Sequence, residues 1–334
     1  MERESAWKRY DEDQLAELEQ LAAGYIDFIS ENKTEREFSA AAIRSAEAAG
    51  YESLDAAISA GRKLAPGDKV WATMRNKAVI LVQLGARPLT DGMNILGAHI
   101  DSPRLDVKQN PLYESSELAF MDTHYYGGIK KYQWPCIPLA LCGVIYTQKG
   151  KKLEVNIGMD ENDPVFYITD LLIHMAQDQM KKTMAEGVTG EQLQAIIGSH
   201  AGKEEKVKDA ILNLLKKTYG ITEEDFTTAE LELVPAMKSR DVGFDRSLIA
   251  AYGQDDRVCS YANLEALLAA KPGTKTQVAL FTDKEEIGSY GNTGMMSSYF
   301  VKFVMKMLAL QGSGALLDFY ETMEKSEMLS GDVN

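Results

Sequence analysis

The sequence predicts an α/β protein interrupted by a β-rich insertion, on three observations. Apolar strand-like runs follow helix-periodic segments in the first hundred residues, and a helix followed by an apolar strand returns from about residue 258. The stretch from about 110 to 240 differs, mixing Gly, Pro and aromatic segments with strand-like runs. Strands that alternate with helices build a largely parallel sheet, whereas short strands with turn residues between them build a separate β-rich body. The division expected is therefore 1–109 and 241–334 as two parts of one α/β domain, with 110–240 inserted between them.

In chain order, Leu15, Leu18, Leu21 and Tyr25 recur at three- and four-residue steps, and Ala40 to Ala49 is rich in helix formers, so the chain opens with helices. Lys69 to Met74 and Ala78 to Val82 read as two strands joined by the tight turn Arg75-Asn76-Lys77. Asn94 to Ile100 is a short strand that stops at Ser102-Pro103. The middle holds Tyr125-Tyr126-Gly127-Gly128, Trp134-Pro135, a strand from Leu139 to Tyr146, and a polar run from Glu191 to Lys217. That last run keeps helical period through Val207, Ile211, Leu214 and Leu215 and reads as a surface helix. A helix from Val258 to Ala270 then precedes the strand Gln277 to Phe281, which is expected to share a mainly parallel sheet with Ile95–His99. No internal repeat or low-complexity tract is visible.

Of 334 residues, 45% are hydrophobic and 26% charged, enough apolar surface for a sizeable core. The 36 Lys and Arg against 50 Asp and Glu give a net charge of −14, which argues against nucleic acid and anionic membrane as partners. Three cysteines make no disulfide framework and suit a reducing, cytoplasmic setting. The charged start Met1 to Lys8 carries no secretory signal, and no apolar run reaches the ~18 residues of a spanning helix. Only His99, His124, His174 and His200 are available, which excludes a His-rich metal site. Gly291-Asn292-Thr293-Gly294 lacks the Lys of a phosphate loop and reads as a turn, and the cysteines have no local basic partner that would mark a nucleophile.

Three constellations remain. In His99-Ile100-Asp101, residues i and i+2 of a strand face one side, so the carboxylate can orient the imidazole as a ligand; a hydrogen-bonded structural histidine is the plainer alternative. Asp255-Asp256-Arg257 precedes a helix, where an aspartate commonly caps and an arginine neutralises, or where one carboxylate bridges two cations. Glu285-Glu286 directly follows a strand, unlike the solvated pairs Glu204-Glu205 and Glu223-Glu224. Two carboxylates at a strand end can divide metal binding from proton transfer. Asp332, in Ser330-Gly331-Asp332, means nothing in isolation.

Taken in order, Gly97-Ala98-His99-Ile100-Asp101-Ser102-Pro103-Arg104-Leu105, Gly253-Gln254-Asp255-Asp256-Arg257, Asp283-Lys284-Glu285-Glu286-Ile287-Gly288-Ser289 and Ser330-Gly331-Asp332 resemble the M18 family of zinc aminopeptidases. Tyr126-Gly127-Gly128, Asp170 to His174 and Glu230 to Ala236 support the resemblance, which runs from about residue 90 onward. It implies a three-layer α/β/α zinc-peptidase domain with an inserted dimerisation domain, and a dimer that builds a dodecamer. It implies two divalent metal ions, zinc in the family: His99, Asp255 and Asp332 around one, Asp255 and Glu286 at the other. Glu285 would be the general base, Asp101 the partner of His99, and peptides the substrates. His174 matches a family histidine that reaches a neighbouring subunit's active site, with a buried structural role as the alternative. The family's Asp-Arg pair after the tryptophan is replaced here by Trp134-Pro135-Cys136-Ile137-Pro138, which leaves the preferred N-terminal residue open. The family also continues beyond Ser-x-Asp to a last histidine ligand, while this sequence reaches Asn334. On that ground the 334-residue chain reads as a C-terminally truncated member, expected to hold at most one metal firmly and to show little activity. The alternative to an enzyme is a non-catalytic assembly subunit of the same fold.

Overall fold

The computed structural model describes residues 4–202 and 205–333. Lys203 and Glu204, residues 1–3 of the charged start, and Asn334 lie outside the described residues. The chain opens with α1 (Glu12–Glu31), α2 (Glu35–Ala48), β1 (Glu52–Ser53), α3 (Leu54–Ser59), β2 (Lys69–Met74), β3 (Ala78–Gln83) and β4 (Met93–His99). Its middle contains β5 (Arg104–Ser115), β6 (Leu118–Tyr126), β7 (Pro138–Tyr146), β8 (Lys152–Ile157), β9 (Phe166–Tyr167), β10 (Ala195–Gly198), α4 (Val207–Tyr219) and β11 (Glu230–Pro235). The last part holds β12 (Arg240–Val242), β13 (Leu248–Ala250), α5 (Gln254–Ala269), β14 (Thr276–Thr282), α6 (Tyr299–Leu310), α7 (Leu316–Glu324) and β15 (Glu327–Ser330).

Two compact units result: one of residues 1–101, 238–285 and 289–334, the other of 102–237 with 286–288. In the first, six strands form a sheet in the order β1-β2-β3-β14-β4-β15. The tight turn after Met74 forces β2 and β3 antiparallel, and β3 meets β14 antiparallel, whereas β14 and β15 both run parallel to β4. Strand residues alternate between the two faces, and the core shows it. Ile80, Val82, Val278 and Leu280 share a cluster with Leu54 of α3, Phe303 and Met307 of α6 and Phe319 of α7. Val79, Leu81, Ala279 and Phe281 share another with Phe38 and Ala42 of α2 and Leu264 and Leu267 of α5. Every residue of β3 is buried, as a central strand covered on both faces requires. The result is a three-layer α/β/α unit.

The helices start where their sequences direct. Asp11 accepts from the Gln14 main-chain N–H while Gln14 accepts from that of Asp11, and Thr34 and Glu37 repeat the exchange ahead of α2. The apolar end of α1 is fixed by Tyr25 and Ile29, which bury with Tyr261 of α5.

In the second unit the strand order is β11-β5-β6-β10-β9-β7-β8, and β11 also pairs with β7, so the sheet closes on itself as a barrel. Leu105, Leu139, Leu193 and Leu233 fill its interior. The helix expected from Glu191 to Lys217 is corrected here: a 3-10 turn and strand β10 occupy 190–198, and the helix spans only Val207–Tyr219. Leu193 and Ala195 are drawn into the barrel core, and Ala195 and Ile196 pair with β6. Among the described residues no helix is long and apolar enough to cross a membrane.

Candidate metal centre

His99 is the last residue of β4, the strand with a parallel neighbour on each side. Parallel strands in register bring the residues beyond their C-terminal ends to the same level. On one side His99 pairs with Thr282 of β14, so the turn Glu285–Ile287 lies just beyond it. On the other side Gly97 pairs with Ser330 of β15, and the Gly331 N–H donates to the Gly97 carbonyl at 2.8 Å. Two residues further along each strand stand His99 and Asp332, with Nε2 to Oδ1 3.9 Å. A glycine is needed at 331 because α5 lies close: a Cβ there would come within 2.9 Å of the Cys259 Cβ.

The third wall is α5. Ser260 donates its hydroxyl to the His99 carbonyl at 2.7 Å and Asn263 its amide to the Gly97 carbonyl at 3.4 Å, which lays the helix along β4. Asp255 near the helix start then stands 3.2 Å from His99 Nε2. The cap of α5 is Gly253, with no side-chain capping bond, and Asp255 has extended dihedrals joined to Asp256 by a cis peptide bond. Asp255 is exposed and turned to the histidine, so the capping reading of this motif does not describe it. Asp256 is fully buried, and Arg257, also buried, donates to the carbonyls of Lys33 and Ile100.

On the far side of the imidazole, Nδ1 lies 3.0 Å from the Asp101 carbonyl and 3.4 Å from its Oδ1. The same Oδ1 accepts the Glu285 main-chain N–H at 3.1 Å, a link that the His-x-Asp spacing does not reveal. Glu285 is half exposed, its Oε2 3.9 Å from His99 Nε2. Burial works to lower the His99 pKa, but the Asp101 hydrogen bond and the charges of Asp101, Asp256 and Glu285 outweigh it and raise it to about 9. The pocket is thus strongly negative, as a cation requires.

Below Glu285 is a buried ionic layer that sequence reasoning missed. Lys77 Nζ stands 2.8 Å from Glu35 and 3.6 Å from Asp283 Oδ2, and Thr293 donates its hydroxyl to the same Oδ2 at 2.6 Å. Its members lie far apart in sequence, and a lone lysine in a strand turn carries no pattern.

Within the first unit, His99 Nε2 faces the carboxylates of Asp255 and Asp332. Donors that share one ion at ~2.0–2.2 Å stand at most about 4.4 Å apart; the 3.2 and 3.9 Å separations from His99 Nε2 to Asp255 and Asp332 meet that limit. One imidazole and several carboxylates are a donor set that zinc accepts. The other histidines stand elsewhere. His124 is exposed and stacked on Tyr125, and His174 and His200 are exposed, which removes the buried structural alternative for His174.

A family model described as "Aminopeptidase I zinc metalloprotease (M18)" matches residues 28–334, which sets the class as a zinc metalloprotease. The "Probable M18 family aminopeptidase 1" of Clostridium acetobutylicum is 48% identical over 337 residues, covering 100% of this chain and 72% of that protein. The crystal structure of an M18 family aminopeptidase from Thermotoga maritima matches at a TM-score of 0.92 and 41% identity, covering 100% of this chain and 72% of that one. The chain belongs to the M18 family of aminopeptidases. A more distant structure, the S. cerevesiae mApe1 dodecamer, shares the fold at 20% identity and a TM-score of 0.73, covering 95% of this chain and 72% of that one.

Proposed function

We propose that this aminopeptidase removes N-terminal residues from peptides at a site for two zinc ions. The observation that carries the reading is the convergence of His99 Nε2 with the carboxylates of Asp255 and Asp332. His99, Asp255 and Asp332 would hold one ion; Asp255, with two oxygens, would bridge to a second held also by Glu286. When bound, such ions polarise the scissile carbonyl and bring the pKa of water toward ~7. Asp101 holds Nδ1 of His99 and so keeps Nε2 turned to the ligands. The same carboxylate fixes the main chain of Glu285, whose exposed carboxylate accepts the proton of the attacking water and passes it to the leaving amine.

The inserted unit is assigned to self-association. Around His174, the side chains of Leu171, Leu172, Ile173 and Met175 are 53–72% exposed, a contiguous apolar run that a second copy would cover. His174 would then serve a neighbouring subunit's site in a homo-oligomer, a dimer building a larger shell. Three free cysteines fit a cytoplasmic setting.

The alternative is an inactive assembly subunit of the same fold. Elemental analysis after dialysis, run beside hydrolysis of acidic and leucyl aminoacyl substrates, separates the two. Two firmly held equivalents with turnover support the enzyme; one or none, without turnover, count against it.

A further inference from the structure

We propose that Lys77 is a positioning residue for Glu285: its buried ammonium, held between Glu35 and Asp283, fixes the start of the segment that presents the Glu285 carboxylate. The inference rests on the reading of Glu285 as the base and uses residues of the first unit alone. Strand register brings the parts together. β3 meets β14 antiparallel with Val79 opposite Phe281. Lys77, two residues earlier on one strand line, is therefore level with Asp283, two residues later on the other. Val79 and Phe281 bury against α2, and residues two apart on a strand share a face. Lys77 and Asp283 thus turn to the side where Glu35 opens α2.

All three side chains are buried, Glu35 and Asp283 completely. Lys77 Nζ lies 2.8 Å from Glu35 Oε1 and 3.6 Å from Asp283 Oδ2. The Thr293 hydroxyl donates to the same Oδ2 at 2.6 Å, and the Asp283 N–H donates to the Thr293 carbonyl at 3.4 Å. Asp283 is therefore held by its side chain and its main chain at once. Lys284 Nζ, 3.9 Å from that Oδ2, belongs to a side chain more open to solvent. The chain leaves β14 through Lys284 at φ +70°, and Glu285 follows with its N–H on Asp101 Oδ1 at 3.1 Å. Two fixed points thus set the place of Glu285: its own N–H, and Asp283 two residues before it.

Stability alone is a weak reason to bury these charges. Taking ions out of water commonly costs as much as their attraction returns, and apolar residues of similar volume often hold a core as well. What a hydrogen-bonded charge supplies is a defined position: an ammonium anchored by Glu35 leaves the Asp283 carboxylate one favourable place, and the residues after it inherit that place. A competing cause has to be separated. Lys77→Met alone leaves two carboxylates buried without their cation, which destabilises the fold whatever Lys77 does for Glu285. The triple variant Lys77→Met/Glu35→Gln/Asp283→Asn removes the three charges together at nearly constant volume, so it loses the anchor without that penalty.

The experiment follows hydrogen exchange in the metal-free full chain, in Lys77→Met and in the triple variant, with thermal unfolding measured for each. Overlapping peptides compare the amides of Asp283 and Glu285 with those of Val278 and Leu280 inside β14. Both variants are expected to speed exchange at Asp283 and Glu285 by about tenfold or more, as a local opening does. The triple variant should keep a midpoint near that of the parent and parent-like exchange in β14. In the zinc-loaded chain its kcat should fall by about tenfold or more, with KM and zinc content unchanged. Parent-like exchange at Asp283 and Glu285 in the triple variant would show that the layer is a structural ion pair only and overturn the proposal. So would an equal acceleration in β14, which marks a loss of overall stability, or a parent-like kcat beside faster local exchange. Failure of the functional reading shows separately. Glu285→Gln with parent turnover would remove Glu285 as the base, a result on which the exchange rates do not depend.

Discussion

Asp101 serves two neighbours with one residue: it faces Nδ1 of His99 and accepts the Glu285 N–H. The proposed ligand and the proposed base are therefore set by one buried carboxylate, and the roles of Glu285 and its neighbours can be tested apart. Glu285→Gln is expected to leave metal content intact and lower turnover by ~10²–10⁴, because an amide cannot take the proton. Asp255→Ala is expected to release both ions. Metal analysis and rate measurements on the same samples check both; metal lost with rate kept in Glu285→Gln would reverse the roles of 285 and 286. Asp283 gives a pH prediction. Burial, then the Glu35 charge, push its carboxyl up to about 6 against the pull of Lys77 and Thr293. A raised carboxyl pKa means that the native state binds the proton more tightly than the unfolded chain. Its contribution is complete below about 3.8 and is lost as pH rises through about 6. Asp283→Asn removes that dependence, so the stability of the parent relative to the variant should fall between pH 4 and 6.5 by on the order of 2–3 kcal/mol. Urea midpoints at the two pH values measure it, and a constant difference would refute the assignment.

At the scale of elements, the central strands carry the stability of the first unit. Phe281 is fully buried and its ring centroid lies 5.3 Å from that of Phe38, the planes tilted by 60°, joining β14 to α2. Phe281→Ala should cost about 3–5 kcal/mol, read from chemical unfolding; a loss under 1 kcal/mol would mean that the layer repacks freely. These strands were legible because apolar runs of five to six residues bounded by turn residues have few other solutions. The turn Arg75-Asn76-Lys77 was legible for a related reason: Arg75 and Asn76 take positive φ, the conformation of a tight hairpin. The segment from Glu191 to Lys217 was misread where Ile196 and Ile197 fit a helix or a strand equally well. Pairing with β6 and β9, made by residues distant in sequence, decided for strand.

For the whole molecule, the exposed run around His174 predicts association. The parent chain should sediment as a dimer or larger species at micromolar concentration, and Leu172→Asp with Ile173→Asp should shift it toward monomer without changing its circular dichroism. A parent that sediments as a monomer would defeat the assignment. The sequence by itself determined the alternating strands and helices of the α/β unit, the strand character of the insertion, and which side chains are of a type able to ligate a metal, because periodicity and residue type are properties of the local chain. Only the tertiary structure decided that these residues meet. His99 and Asp255 are 156 residues apart, and they come together because α5 hydrogen-bonds along β4. Asp332 reaches them through the register of β15, and Glu285 through that of β14 and the carboxylate of Asp101. Register and helix docking are fixed by the burial of two sheet faces at once, a condition on the whole core that no local window of sequence contains.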